Sequence, residues 1–194
     1  TPGGYYALSE SASVSAFYNA NMAMALTAMY RATDEPDYLE RANTLFEAMN
    51  PLWDVEKGAY LNDGSSSYIG LAENNSLMYG HLMLGEVDRV QAFYGWVEES
   101  LFRELPDGYA VMLHDNEGVY GEWYWCSGCN FLALYNIWLL NKQVHALGEG
   151  FPIITDNRPA IEFYLDLGNV IGVPGQERYV FNRARFDDVV NQIS

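Results

Sequence analysis

Apolar segments that recur at a nearly constant interval constrain the fold of this chain more than any other feature. Asn21, Asn75 and Asn130 lie 54 and 55 residues apart, and each stands near the start of an apolar run of helical character. Self-similarity at a long fixed period is typical of repeat architectures, in which neighbouring units stack and bury a continuous core. We therefore predict that these asparagines mark equivalent starts of three helices.

Hydrophobic periodicity predicts five helices of two alternating kinds. The first, third and fifth are apolar on most faces, as buried helices are, whereas the second and fourth each carry a single apolar stripe. The predicted ranges are 10–31, 36–49, 71–84, 87–104 and 127–147. Their order predicts two helical hairpins, each with a buried inner helix and an outer helix on the surface, and the inner helix of a third hairpin.

Turn residues predict a β-hairpin between the fourth and fifth helices. Residues 109–113 and 119–123 are rich in β-forming residues and flank the turn sequence Asp115-Asn116-Glu117-Gly118. The helical pattern then stops at about residue 150, and the remainder predicts a strand over 160–167 and a short helix over 186–193.

These elements predict a mainly α fold with a β-hairpin insertion. Residues 1–149 would form a helical-hairpin repeat domain, and residues 150–194 a small β-containing C-terminal tail. Two complete hairpins and half of a third make the repeat an incomplete one.

The chain is strongly acidic. It carries 26 Asp and Glu against 10 Lys and Arg, a net charge of −16, and 49% of its residues are hydrophobic. The apolar content can fill a sizeable core, while the negative charge repels phosphate backbones and argues against nucleic-acid partners. No apolar run reaches the roughly 18 residues of a membrane-spanning helix, so no transmembrane segment is predicted. Because the sequence begins with Thr1, we expect a processed N-terminus, which leaves an exported or periplasmic location open.

One stretch of the repeat resembles a known class of helical hairpin. The segment from Tyr18 to Ala42, with its Tyr30-Arg31 before the turn and Tyr38-Leu39 after it, is similar to hairpins of the (α/α)-barrel or toroid families. These families include sugar epimerases, glycoside hydrolases and polysaccharide lyases. The resemblance implies an incomplete (α/α) toroid-like repeat and a carbohydrate-active or carbohydrate-binding role, of the glycoside hydrolase or epimerase type if the protein is an enzyme.

Two further resemblances are limited to short motifs and imply less about function. Zinc-dependent β-arabinofuranosidases of this fold have a Glu-x-Cys motif and a cysteine-rich stretch, which Glu73, Cys126 and Cys129 match in part; this resemblance makes zinc a possible cofactor. The segment from Ile154 to Phe163 is similar to a C-terminal stretch of spermidine-synthase-like proteins, whose glycine-rich cofactor loop this chain lacks, so it implies no activity.

In the toroid interpretation, the site would lie at the N-terminal ends of the inner helices, called here the inner-helix mouth. Carboxylates beside exposed aromatic rings suit a sugar, because rings stack on aromatic faces and paired carboxyl groups act as acid and base. We predict Glu73 and Glu122 as catalytic residues. The predicted ligand-binding residues are Asn21, Asn75, Asn130, Trp53, Trp123 and Trp125. The alternative is that the asparagines satisfy backbone groups at helix starts and the tryptophans belong to the core or to an interface.

The motif Cys126-Ser-Gly-Cys129 leaves four interpretations open: packing cysteines, a local disulfide, a redox-active pair, or part of a zinc site. His81, placed among leucines within a helix, is expected to be a core residue rather than a base.

A second function fits the same pattern. Two and a half hairpins cannot close a toroid of about six, and an open end exposes apolar helix surface of the kind that marks interfaces. The alternative prediction is therefore a non-catalytic accessory subunit, in an oligomer or a larger protein assembly.

Overall fold

The computed structural model describes residues 15–145, 158–171, 176 and 178–191. This part of the chain is mainly helical with a small β component, which confirms the predicted fold class. The helices are α1 (Ala16–Thr33), α2 (Pro36–Met49), α3 (Leu71–Leu84), α4 (Val87–Ser100), α5 (Ser127–His145), α6 (Arg158–Leu167) and α7 (Arg183–Val190). The strands are β1 (Trp53–Asp54), β2 (Ala59–Tyr60), β3 (Phe102–Glu104), β4 (Tyr109–Met112), β5 (Gly168–Ile171) and β6 (Arg178–Asn182).

Helices α1, α3 and α5 lie side by side, with α2 packed on α1 and α4 packed on α3. The central helix α3 is buried on most faces because α1, α4 and α5 pack against it, and 11 of its 14 residues are buried. The outer helix α2 buries one stripe, formed by Ala42, Leu45, Phe46 and Met49. Inner and outer helices thus alternate as their hydrophobic patterns indicate.

The repeat is held in register by a buried asparagine in each inner helix. Asn19, Asn74 and Asn130 each donate a side-chain hydrogen bond to the carbonyl four residues earlier, just before the helix begins, at 2.7, 3.0 and 3.1 Å. Their spacing is 55 and 56 residues. The equivalent positions are therefore Asn19 and Asn74, rather than the predicted Asn21 and Asn75.

In the second and third copies, this asparagine also binds the preceding strand. Asn74 accepts from the Tyr60 N–H (2.8 Å) and donates to the Tyr60 carbonyl (2.9 Å). Asn130 does the same with Met112, at 2.8 Å in both directions. The amide pairs with one residue as a neighbouring strand would, so α3 and α5 are each held to the strand before them. We call this arrangement the asparagine clamp.

The predicted hairpin of 109–113 with 119–123 is wrong in its second strand. Strand β4 pairs instead with β3 and with β6, in a four-stranded antiparallel sheet of order β3-β4-β6-β5. The reason lies at Asp115, whose Oδ1 accepts the N–H groups of Glu117 (2.9 Å) and Val119 (3.0 Å) and curls the chain into turns. Because β3 occupies the end of the predicted fourth helix, that helix ends at Ser100 rather than at residue 104.

The predicted strand over 160–167 is also wrong, since these residues belong to helix α6. Apolar residues at 160, 163, 164 and 167 have helical spacing, which the strand prediction overlooked. Helix α6 packs on α5, where the rings of Tyr164 and Phe131 meet edge to face at 4.6 Å. The closing helix α7 begins at Arg183, earlier than predicted, because Asn182 caps it by accepting the Arg185 N–H (3.1 Å).

The tail and the helical region share one sheet and one apolar core. Strand β6 pairs with β4, and the core extends from Leu45 through Leu77 and Ile137 to Phe181. The predicted boundary at residue 150 lies outside the described residues.

Candidate functional site

A cavity of about 330 Å³ opens at the inner-helix mouth, where the N-terminal ends of α1, α3 and α5 converge. Each inner helix contributes to its lining. The polar and aromatic lining residues are Phe17 and Asn21 from α1, Glu73 and Ser76 from α3, and Cys126 and Cys129 at the start of α5. The structure thus brings together one predicted catalytic residue, one predicted ligand-binding residue and both cysteines.

Glu73 is the most unusual of these residues. It is 9% exposed, and its Oε2 is fully buried without a hydrogen-bond partner among the described residues. Its position in the first turn of α3 stabilises a carboxylate, because the helix dipole is positive there. The carboxyl group folds back against Gly70, where a Cβ would collide with it. An unpaired buried carboxylate oxygen is costly, so a site built around it is suited to a ligand that donates a hydrogen bond.

The two cysteines are free thiols in different surroundings. Cys126 is half-buried and directly precedes α5, and its Sγ accepts the backbone N–H of Cys129 at 3.1 Å. Cys129 is 7% exposed. Burial raises the pKa of the Cys129 thiol, and its hydrogen bond with Cys126 and the negative charge of Glu73 raise it further.

Aromatic side chains gather beside Glu73. Burial raises the pKa of Tyr68, with additional contributions from the charges of Glu73 and Asp115. On the neighbouring loop, the rings of Tyr120 and Tyr124 lie 4.8 and 5.5 Å from that of His114. Tyr120 is 62% exposed, so this rim offers ring faces to solvent.

Asn75 and Asn130 are fully buried and hydrogen-bonded within the protein. Asn75 donates to the Cys129 carbonyl (2.8 Å) and accepts from the Tyr94 hydroxyl (3.0 Å), while Asn130 forms the clamp. Only Asn21, among the three predicted asparagines, lines the cavity; its Oδ1 accepts a hydrogen bond from Ser76 Oγ at 3.2 Å.

The remaining predicted site residues lie apart from the described lining of the cavity. Glu122 and Trp123 are exposed in a turn. Trp53 stacks under the Arg89 guanidinium (4.9 Å), and Trp125 under that of Arg178 (4.8 Å). The two predicted catalytic carboxylates are therefore found in different settings, one buried at the cavity and one in solvent.

Within the described ranges, no cluster of three or more His, Cys, Asp and Glu has the proximity needed to hold a metal ion. Glu73, Cys126 and Cys129 therefore do not form such a cluster in the structure. The described helices also include none that is long and apolar enough to cross a membrane.

Sequence reasoning missed the residues that organise the mouth, Asn19 and Asn74. The sequence does contain a pattern that identifies them, because in each copy an asparagine lies four residues after the residue that precedes the helix. The missed Ser76 and Phe17 have no comparable signal, because only the packing of α1 against α3 brings them to the cavity.

A second cavity, of about 460 Å³, lies between α5, α6 and α7. Lys142 and Arg185 face Asp166 and Asp188 there, so its charges balance one another, and Arg185 is ion-paired with Asp166.

Comparison with protein-family models, with curated proteins and with solved structures finds no match to this chain.

Proposed function

We propose that the inner-helix mouth binds a carbohydrate, with Glu73 as the carboxylate that accepts hydrogen bonds from its hydroxyl groups. The observation that carries this proposal is the buried, unpartnered Oε2 of Glu73 beside a cavity of about 330 Å³. That volume is at the lower end of the ~300–1,000 Å³ typical of small-molecule sites, and it suits one sugar ring.

The other lining residues complement a sugar. Phe17 is 55% exposed and offers a ring face for stacking. Asn21 and Ser76 supply an amide and a hydroxyl at the same mouth. Polar groups that fix orientation within a mostly apolar cavity are the usual composition of a selective small-molecule site.

Binding is better supported than hydrolysis. Glycoside hydrolysis generally uses two carboxyl groups about 5–10 Å apart across the scissile bond. Glu73 is the carboxylate of the described lining, whereas Glu122 is exposed in a turn. We therefore propose carbohydrate binding first, and a glycoside hydrolase or epimerase activity only as a more specific version of the same proposal.

Saturation-transfer NMR with a panel of monosaccharides and disaccharides, followed by calorimetric titration of the hits, tests the proposal. Glu73→Gln should weaken binding of a hit about tenfold or more, since a hydrogen bond to a charged acceptor contributes ~1.5–3 kcal/mol. Glu122→Gln is the matched control and should leave the affinity unchanged. The proposal fails if no sugar binds, or if the two variants weaken binding equally.

A second function, that of an accessory subunit, is supported by apolar side chains of α1 that are exposed in the described part of the chain. Phe17, Tyr18 and Met29 are 55%, 44% and 42% exposed on this helix. Exposed apolar residues on one helix face are typical of protein interfaces. Light scattering coupled to size-exclusion chromatography should then show an oligomer that Met29→Glu dissociates; a monomer that binds no hydrophobic dye would contradict this function.

A further inference from the structure

The pair Cys126 and Cys129 has the geometry of a dithiol that can react with disulfides. Cys126 directly precedes α5, and its sulfur accepts a backbone N–H of the first turn of that helix, from Cys129. Free N–H groups and the positive end of the helix dipole stabilise a thiolate at this position. A thiolate rather than a thiol is the nucleophile in disulfide exchange.

The two sulfurs are also unequal in access. Cys126 is half-buried and lines the cavity, so a ligand in the cavity can reach it. Cys129 is 7% exposed, and its backbone N–H donates to the Cys126 sulfur at 3.1 Å. One cysteine can therefore attack a substrate, while the other is held against the first for a second attack.

Glu73 supplies a third, independent feature. Its buried Oε2 lacks a partner in the described part of the chain, and its charge acts on the Cys129 thiol, whose pKa it helps to raise. A thiol kept protonated in this way needs a base before it can attack. The Glu73 carboxylate is a base on the same cavity wall.

We propose that Cys126 and Cys129 form a redox-active dithiol that reduces small disulfides, with Glu73 as the proton acceptor for Cys129. The substrate is a neutral or cationic low-molecular-weight disulfide, because the cavity wall carries the Glu73 carboxylate and the chain has a net charge of −16. This proposal shares Glu73 with the proposed sugar site, but it does not require a sugar to bind there.

The reaction balances with the disulfide substrate as the oxidant. The Cys126 thiolate attacks one substrate sulfur, the substrate S–S bond breaks, and the first substrate thiolate leaves and takes up a proton from water. Cys129 then gives its proton to Glu73 and attacks Cys126 Sγ, which expels the second substrate thiolate; this leaving group accepts the proton from Glu73. The products are one Cys126–Cys129 disulfide and two substrate thiols.

The test mixes the fully reduced protein, without oxygen, with the neutral probe hydroxyethyl disulfide and follows the intact mass after acid quenching. The wild type should end two hydrogens lighter, with no adduct. Cys129→Ser should stop at a stable adduct on Cys126, and Cys126→Ser should react at least about tenfold more slowly, because the remaining thiol is buried and protonated. Thermal unfolding of both variants verifies that they are folded.

Two results would overturn the dithiol: a wild type that accumulates adducts without forming the internal disulfide, or a folded Cys126→Ser that reacts as fast as the wild type. The charge preference is tested by comparing two probes, the cationic disulfide cystamine and an anionic aromatic disulfide. Faster reaction with the anionic probe, after correction for its intrinsic reactivity, would contradict the proposed substrate class.

The role of Glu73 is tested by the rate of the second step, in which Cys129 attacks the adduct on Cys126. In Glu73→Gln the adduct should accumulate transiently, because its resolution slows about tenfold or more without a general base. Its resolution rate should then rise about tenfold per pH unit as the Cys129 thiolate fraction rises, while the wild-type rate should depend much less on pH. Equal rates in Glu73→Gln and the control Glu122→Gln would remove Glu73 from the proposal. Phe17→Ala separates the two functions, since it should weaken sugar binding and leave the internal disulfide yield unchanged.

Discussion

The Tyr60 hydroxyl and His81 Nε2 lie 2.8 Å apart in the core, within a chain of polar contacts that joins β2, α3 and α4. Arg89 Nη1 donates to the Tyr60 oxygen (2.7 Å), so the Tyr60 proton is directed to His81. The other ring nitrogen of His81, Nδ1, lies 2.8 Å from Glu86 Oε2. These contacts assign the neutral Nδ1–H tautomer, with Nδ1 next to the Glu86 carboxylate.

This network makes stability depend on pH. Burial lowers the pKa of His81 below its usual value, although the Glu86 carboxylate opposes the shift. The unfolded chain therefore binds more protons below about pH 6.5, and the free energy of unfolding should fall as pH drops through this range, by up to ~1.4 kcal/mol per pH unit. Urea unfolding from about pH 7.5 to 5.5 measures the slope. His81→Gln should be less stable but should lose most of this slope; an unchanged slope would assign it to other groups.

The asparagine clamp predicts a sharp contrast between two asparagines. Asn130→Ala removes three hydrogen bonds to buried backbone groups and should cost about 2–4 kcal/mol of unfolding free energy. Asn21→Ala, at an exposed position one turn into α1, should change it by less than about 0.5 kcal/mol. Chemical denaturation compares them, and equal costs would show that the clamp is not what holds the inner helices.

Gly70→Ala should alter the site with little loss of stability. A Cβ at this position would meet the Glu73 carboxyl group, which is the flexible end of a side chain and can move away. Backbone strain does not arise, since Gly70 has a φ of −91°. We expect a change of less than about 1 kcal/mol in unfolding free energy, together with a loss of carbohydrate affinity comparable to that of Glu73→Gln. Retained affinity would mean that the position of this carboxylate is not critical.

Two glycine-to-alanine substitutions should act in opposite directions. At Gly168 a Cβ would strike the Val180 carbonyl oxygen and the Tyr179 ring, so Gly168→Ala should destabilise the protein by about 1–3 kcal/mol. Gly95 is exposed within α4 and nothing lies near its Cβ position, so Gly95→Ala should stabilise by about 0.5–1 kcal/mol through helix propensity. Differential scanning calorimetry of the pair tests the packing of β5 on β6 against an internal control.

The sequence predicts the helical hairpins because the apolar period of each helix reports directly on how many neighbours it has. The prediction chose Asn21 and Asn75 instead of Asn19 and Asn74. Each pair lies within one helical turn, and its two asparagines differ only in the direction in which the helix presents their side chains. The prediction fails at residues 119–123 because β-forming composition does not encode the turn fixed by Asp115. At the site, Glu73 could be predicted from its place at a helix start, but its position on the same cavity wall as Cys129 depends on the packing of α3 against α5, which are distant in sequence.

The clamp separates what each repeat must keep from what it can change. The carbonyl that accepts the hydrogen bond of the inner-helix asparagine belongs to Ser15 in the first copy, Gly70 in the second and Cys126 in the third. Only its main chain takes part, so its side chain is free to differ while the helix start stays in place. A structural duplication of this kind can acquire new chemistry one copy at a time, because a single substitution at the mouth supplies a hydroxyl, an open space or a thiol without disturbing the scaffold.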